Sequence, residues 1–340
     1  MDKQQLASTA QALVAPGKGI LAADESSKTI QQRFDSIGLE ATEQNRRSYR
    51  ELLFRTAGME DFISGVILYD ETIRQSAADG TPLPQVLSGR GIIPGIKSDS
   101  GLVDLTGFPG EKVTSGLDGL AQRLADWGRL GARFSKWRAT IAIGEGIPTA
   151  VCLRANAQAL ARNAALSQEA GIVPIVEPEV LMAGDHSIER CEEATEAILN
   201  VMYSELIEHR VYLEGSLLKP NMVLAGQACS QQASVEQVAE ATVRCFKRTV
   251  PAAVPGIVFL SGGQGPEEAT QHLNAMNALG NSPWQLSFSY GRALLEPALN
   301  AWAGDSANAA AAQKAFHHRA RCNGAARSGA YTRAMESVVA

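Results

Sequence analysis

Eight apolar runs of strand length, rich in β-branched residues, recur along this chain at residues 19–25, 63–70, 92–99, 132–141, 171–179, 211–221, 256–263 and 284–290. Most are continuous rather than alternating, the pattern of strands covered on both faces. Segments of helical period lie between them. After the fifth run, Ile188, Cys191, Thr195, Ile198, Met202 and Leu206 recur every three or four residues behind Ser187, a helix-capping residue type. Thr42 stands in the same way before a stretch carrying Tyr49, Leu52 and Leu53. Gly265-Pro-Glu-Glu268 places proline and acids in a first turn. Strand and helix alternating through eight units predict an α/β fold, a (β/α)8 TIM barrel. A doubly wound sheet would need fewer strands and a glycine-rich turn between its first strand and helix. Gly17-Lys-Gly-Ile-Leu-Ala22 fits that pattern by letter, but it lies before and inside the first run. The domain reading is one catalytic barrel over residues 1–320. A mobile C-terminal tail follows over 321–340, where Gly324, Gly329 and small side chains accumulate.

The polar residues at the C-terminal ends of these runs would meet at one face of such a barrel, where active sites of this fold sit. The first run ends in Asp24-Glu-Ser26 and the third in Lys97-Ser-Asp99. The fourth carries Lys136-Trp-Arg138, the fifth Glu177-Pro-Glu179 and the sixth Lys219. The seventh ends in Ser261-Gly-Gly263, and the eighth is followed by Gly291 and Arg292 after Ser289. Lys219 closes an apolar run, and burial disfavours an ammonium, so its amine can become a nucleophile toward a carbonyl and form a Schiff base. Period two puts Lys136 with Arg138 and Glu177 with Glu179 on common sides of their strands. Lys136 would depress the Lys219 pKa as a like charge, and Glu177 would shuttle protons. Arg138 and Glu179 would bind substrate or hold their neighbours. Ser261-Gly-Gly-Gln-Gly265 before a helix start offers backbone N–H groups to a phosphate, with Gly291 and Arg292 beside it. Ser26, Ser27, Lys28, Thr29 and Arg33, with Lys97 across the mouth, form a second candidate anion seat.

The net charge of −5 gives no support to a nucleic-acid surface. No apolar run approaches the ~20 residues a membrane-spanning helix needs. The N-terminus shows no basic-then-apolar leader and the first arginine is Arg33, so the expected location is the cytoplasm. Five cysteines, scattered and odd in number, read as reduced thiols. His186, His209 and His272 are isolated, and His317-His318 reads as a solvated helix face. No metal or other cofactor is expected.

Six segments together resemble class I fructose-1,6-bisphosphate aldolase: Leu21-Ala-Ala-Asp-Glu-Ser26, Lys136-Trp-Arg138, Val173-Pro-Ile-Val-Glu-Pro-Glu179, Leu213-Glu-Gly-Ser-Leu-Leu-Lys-Pro-Asn-Met222, Phe259-Leu-Ser-Gly-Gly-Gln264 and Phe288-Ser-Tyr-Gly-Arg292. The resemblance runs from about residue 5 to 335 in family order and spacing. It implies cleavage of fructose 1,6-bisphosphate into dihydroxyacetone phosphate and glyceraldehyde 3-phosphate through a Lys219 imine. Glu177 would be general acid and base, Asp24 would take the C4 hydroxyl proton, and Lys136 would support both. Ser261, Gly262, Gly263, Ser289 and Arg292 would hold one phosphate. Arg33, Ser26, Thr29 and Lys97 would hold the other, and Arg46 matches a substrate-binding position. A homotetramer is implied by the same analogy. A Schiff-base aldolase for sedoheptulose bisphosphate or fructose 1-phosphate, and a non-catalytic barrel scaffold, are the alternatives. Animal members of the family end in a tyrosine that assists enamine protonation. This chain ends Glu336-Ser-Val-Val-Ala340, and its last tyrosine is Tyr331.

Overall fold

Gly19–Ala23 (β1) and Ile63–Leu68 (β2) are buried along their whole length, as continuous apolar strands require. In the computed structural model, which describes residues 1–337, they belong to a closed barrel. The other strands in chain order are Ile93–Lys97 (β3), Leu102–Asp104 (β4), Lys112–Thr114 (β5), Phe134–Ile141 (β6), Val173–Val180 (β7), Leu217–Leu218 (β8), Gly256–Phe259 (β9) and Gln285–Tyr290 (β10). The barrel closes in the order β1-β10-β9-β8-β7-β6-β3-β2, with every neighbouring pair parallel. The (β/α)8 barrel expected from the eight runs is therefore present. β4 and β5 form a separate antiparallel hairpin after β3 that the apolar pattern did not announce. Thr114 Oγ1 in β5 donates to the Arg138 carbonyl at 2.6 Å, which ties the hairpin to β6.

Local signals start the connecting helices. Ser187 accepts from Arg190 N to cap Ile188–Glu208, and Thr42 accepts from Asn45 N to cap Glu43–Phe54. Pro266 opens Pro266–Leu279, and the Glu268 carboxylate accepts from Gly265 N at 3.1 Å.

Inside the barrel, Ile20, Ile67, Phe134, Ile175, Leu217 and Val258 pack with Leu6, Ala10 and Leu13 of the helix Lys3–Leu13. That helix plugs the barrel end opposite the strand C-termini. Gly95 makes room for Phe134, since a Cβ there would sit 2.3 Å from the ring. A ring buried like this stabilises by roughly 1.5–3 kcal/mol, and Phe134→Ala would cost about 3–5 kcal/mol.

Two expected boundaries differ in the structure. Of the run 211–221, only Leu217–Leu218 is strand, and Leu213–Gly215 is a 3-10 turn. A Cβ on Gly215 would lie 2.8 Å from the Leu6 Cβ, so the chain turns where it passes the plugging helix. Lys219 N continues the ladder, donating to Val176 O at 2.8 Å, before Pro220, which has no N–H, ends it. Arg321, the first residue of the expected tail, lies inside the helix Ala309–Ala326, where Phe316, Ala320, Asn323 and Gly324 are buried. Arg327 then fastens the chain to the Val14, Ala15, Lys18 and Leu286 carbonyls. The last of the expected tail, residues 338–340, lies outside the described residues. His318 is buried rather than on a solvated face, while His317 packs edge-on against Phe62.

Candidate active site

The C-terminal ends of the barrel strands open into a cavity of about 760 Å³. β1 delivers Asp24, β6 Lys136 and Arg138, and β7 Glu177 and Glu179, with Lys219 directly after β8. Parallel register sets their heights: Lys97 pairs with Lys136 across β3–β6, and Arg138 with Glu177 across β6–β7. Lys136, Glu177 and Lys219 are each at most 4% exposed. The Lys136 ammonium lies 2.7 Å from Asp24 Oδ2 and 3.2 Å from Glu177 Oε2. The other Glu177 oxygen, Oε1, lies 3.2 Å from Lys219 Nζ.

These contacts fix the charge of Asp24, Glu177 and Lys136. Burial alone would raise the Asp24 pKa, but Lys136, Lys219 and Lys97 overcome it and hold Asp24 well below the usual carboxylate range. Glu177 is lowered against burial by Lys136, Lys219 and Arg138. Burial would lower Lys136, yet Asp24, Glu177 and Asp99 raise it. At neutral pH the cluster thus holds two ready bases and one fixed cation beside Lys219.

Arg138 pairs with Glu179, and its guanidinium is pushed upward, since Glu179 overcomes burial. Its backbone N–H donates to Asp99 Oδ2 at 3.3 Å, and Asp99 also pairs with Lys97. Beyond the lysines, Ser261, Gly262 and Gly263 form a turn after β9, with Gly263 at φ 81°. A side chain at Gly263 would be strained there and would meet Met182 Cβ at 2.7 Å. Arg292 opens the helix Arg292–Trp302 and donates to Gln264 O at 3.4 Å. The Ser289 hydroxyl is buried with no protein partner among the described residues, and Ser289 lines the same cavity. A glycine-rich turn, an arginine and a hydroxyl unpartnered among the described residues converge there, which suits a phosphate.

On the β1 side, Ser26 caps the helix Ser27–Asp35, and its hydroxyl lies 3.1 Å from Thr29 Oγ1. Arg33 reaches from this helix toward both seats. One of its amine nitrogens is 3.5 Å from Glu25, and another lies 3.7 Å from where a Gly291 Cβ would stand. Glu25 is in turn held by the buried Arg50 at 2.8 Å.

The residues expected in the catalytic cluster and in the two seats line this cavity, except Arg46 and Ser27. Arg46 pairs with Glu71 and donates to the Ala41 carbonyl. Tyr69, directly after β2, and Leu260 line the cavity without having been anticipated. The second run ends in Tyr69-Asp70, but only the polar ends of the other seven runs were followed in the sequence. Position after a strand would have found Tyr69.

A buried lysine touching a carboxylate, between two anion seats at the mouth of a (β/α)8 barrel, defines a Schiff-base lyase for a phosphorylated carbonyl compound. Known proteins give the particular family. The family profile described as "Glycolytic: Fructose-bisphosphate aldolase class-I" matches residues 5–340. A Xanthomonas campestris protein named "Probable fructose-bisphosphate aldolase class 1" is 59% identical over 96% of this chain and 98% of its own length. The fructose-bisphosphate aldolase of Dictyostelium discoideum is 53% identical over 96% of this chain and 93% of its own. Among solved structures, fructose-bisphosphate aldolase from Plasmodium falciparum, in ternary complex with TRAP and a small-molecule inhibitor, superposes with a TM-score of 0.96. It is 50% identical, covering 97% of this chain and 96% of the other. The chain belongs to the class I fructose-bisphosphate aldolase family. No helix among the described residues is long and apolar enough to cross a membrane.

Proposed function

We propose that this chain cleaves fructose 1,6-bisphosphate reversibly, with Lys219 as the imine-forming residue. The observation that carries the assignment is Lys219 Nζ buried at 3.2 Å from Glu177 Oε1. Glu177 takes a proton from the Lys219 ammonium, and the free amine adds to the C2 carbonyl of the substrate. Glu177 then returns a proton to the carbinolamine hydroxyl, which leaves as water and gives the iminium. Asp24, held ionised, removes the C4 hydroxyl proton. The C3–C4 bond breaks, its electron pair moves into the iminium to give an enamine, and the aldehyde is released. A proton returns to C3, and hydrolysis of the imine frees the ketone phosphate. Because the iminium stores the electron pair, the chemistry calls for no metal. Lys136 keeps both carboxylates charged and oriented.

Ser261, Gly262, Gly263, Ser289, Gly291 and Arg292 hold the phosphate nearest the ketone, and Ser26, Thr29 and Lys97 hold the far one. Arg33 lies between them. Arg138 and Glu179 form the wall of the cavity as a pair. The test is turnover of fructose 1,6-bisphosphate in the presence of EDTA. Activity that survives chelation and disappears in Lys219→Met supports the assignment, and activity retained in Lys219→Met contradicts it. By family analogy the chain works in the cytoplasm as a homotetramer. A solution mass of four chains by light scattering is the expected result, and a monomer contradicts it.

A further inference from the structure

Away from the lysine cavity, the helix Ala309–Ala326 carries His318 and Cys322 one turn apart on one face, both buried. The short helix Ala334–Ser337 brings Glu336 against them. His318 Nε2 lies 3.3 Å from Glu336 Oε2 and 3.7 Å from Cys322 Sγ, and all three atoms fall within 4.8 Å of one another. The His318–Glu336 and His318–Cys322 spacings match two edges of a metal tetrahedron. With zinc bonds of ~2.0–2.2 Å to N and O and ~2.3 Å to S, neighbouring N and O ligands lie about 3.4 Å apart, and N and S about 3.6 Å.

We propose that His318 Nε2, Cys322 Sγ and Glu336 Oε2 form a binding site for Zn²⁺ or a similar borderline-soft divalent metal, with water as the fourth ligand. The site ties the end of the described chain to the helix Ala309–Ala326. It lies outside the cavity that holds Lys219, and none of its ligands lines that cavity. Surrounding groups already orient the carboxylate. Tyr331 Oη donates to Glu336 Oε1 at 2.8 Å, and Arg319, itself anchored on the Pro266 carbonyl, donates to both Glu336 oxygens at 2.5 Å. Such outer contacts fix ligand direction in metal sites. The soft donor distinguishes the cluster from an ordinary ion pair, because a thiol beside an imidazole favours zinc over calcium or magnesium.

The metal takes Cys322 as the thiolate, forming the metal–sulfur bond and releasing one proton to solvent. His318 Nδ1 is buried without a partner among the described residues, so the ring lacks its own outer contact. That holds affinity below a site whose outer shell is complete.

The test is a Co²⁺ titration of the metal-stripped full-length protein, followed by optical absorption. One Co²⁺ per chain is expected, with a thiolate-to-cobalt charge-transfer band and intense visible bands of tetrahedral type, all displaced by Zn²⁺. Cys322→Ser should abolish the charge-transfer band. Glu336→Gln, a change at a half-buried position in the last described turn, should weaken Co²⁺ binding by about tenfold or more. Circular dichroism melts establish that each variant is folded, and His318→Gln, expected to weaken binding similarly, replaces Cys322→Ser if that variant is not. No charge-transfer band, a band unchanged in Cys322→Ser, or affinity unchanged in Glu336→Gln or His318→Gln overturns the proposal.

Discussion

Lys219 Nζ and Glu177 Oε1 face each other at 3.2 Å, and the second Glu177 oxygen is held at the same distance by Lys136. One carboxylate therefore touches both Lys219, the proposed nucleophile, and Lys136, a cation that helps keep it ionised. Replacing it with an amide keeps the shape and removes the proton acceptor. Glu177→Gln should lower kcat by about 10²–10⁴, the usual worth of a positioned acid–base group, with KM within a few-fold of the parent. Steady-state kinetics on fructose 1,6-bisphosphate measures both, and a kcat within tenfold of the parent would remove Glu177 from the proton path.

Lys136 is paired to two buried carboxylates, so its loss strands their charge. Lys136→Met should destabilise the fold by about 3–5 kcal/mol near pH 7. The dependence on pH follows from the directions of the shifts. Asp24 and Glu177 are lowered on folding, so their contribution is present above the ordinary carboxylate pKa of about 4 and lost as pH falls through the folded values. Lys136 is raised, so its contribution is complete below about 10.4 and lost only as pH rises beyond that. In the variant the stranded carboxylates accept protons more readily, and the stability gap to the parent should narrow from pH 8 to pH 5. Thermal unfolding of both proteins at the two pH values reads this, and a gap that does not change with pH would contradict it.

The two anion seats should separate by substrate. Ser289→Ala removes a hydroxyl that has no protein partner among the described residues, so stability should change little while KM rises for fructose 1,6-bisphosphate and fructose 1-phosphate alike. Lys97→Met and Thr29→Val should raise KM for the bisphosphate only. Each rise should be about tenfold or more, from the ~1.5–3 kcal/mol of a hydrogen bond to a charged group. Equal effects of Lys97→Met on both sugars would reverse the assignment of the seats.

The barrel was legible because parallel strands with both faces covered leave continuous apolar runs, and Val173–Val180 is buried at all its positions. The convergence of Lys136 and Glu177 on one cavity was legible for a related reason: a lysine or glutamate inside such a run has no solvent to face. Other features depend on contacts that periodicity does not carry. The helix Lys3–Leu13 is an ordinary amphipathic segment until the barrel end it fills exists. Gly215 turns the chain for the sake of Leu6, more than two hundred residues earlier in the sequence. Arg46 sits among arginines on one helix, and its pairing with Glu71, 25 residues further on, is a contact that periodicity does not carry. His318 looked solvated because part of its burial comes from Glu336, which folds back against it from 18 residues further on.

The central claim is that Lys219 forms the imine. Incubation with dihydroxyacetone phosphate and sodium borohydride, followed by peptide mass spectrometry, tests it most directly. The account predicts irreversible loss of activity with one reduced adduct per chain, on Lys219. An adduct on Lys136 or Lys97 instead, or inactivation without any lysine adduct, would contradict it.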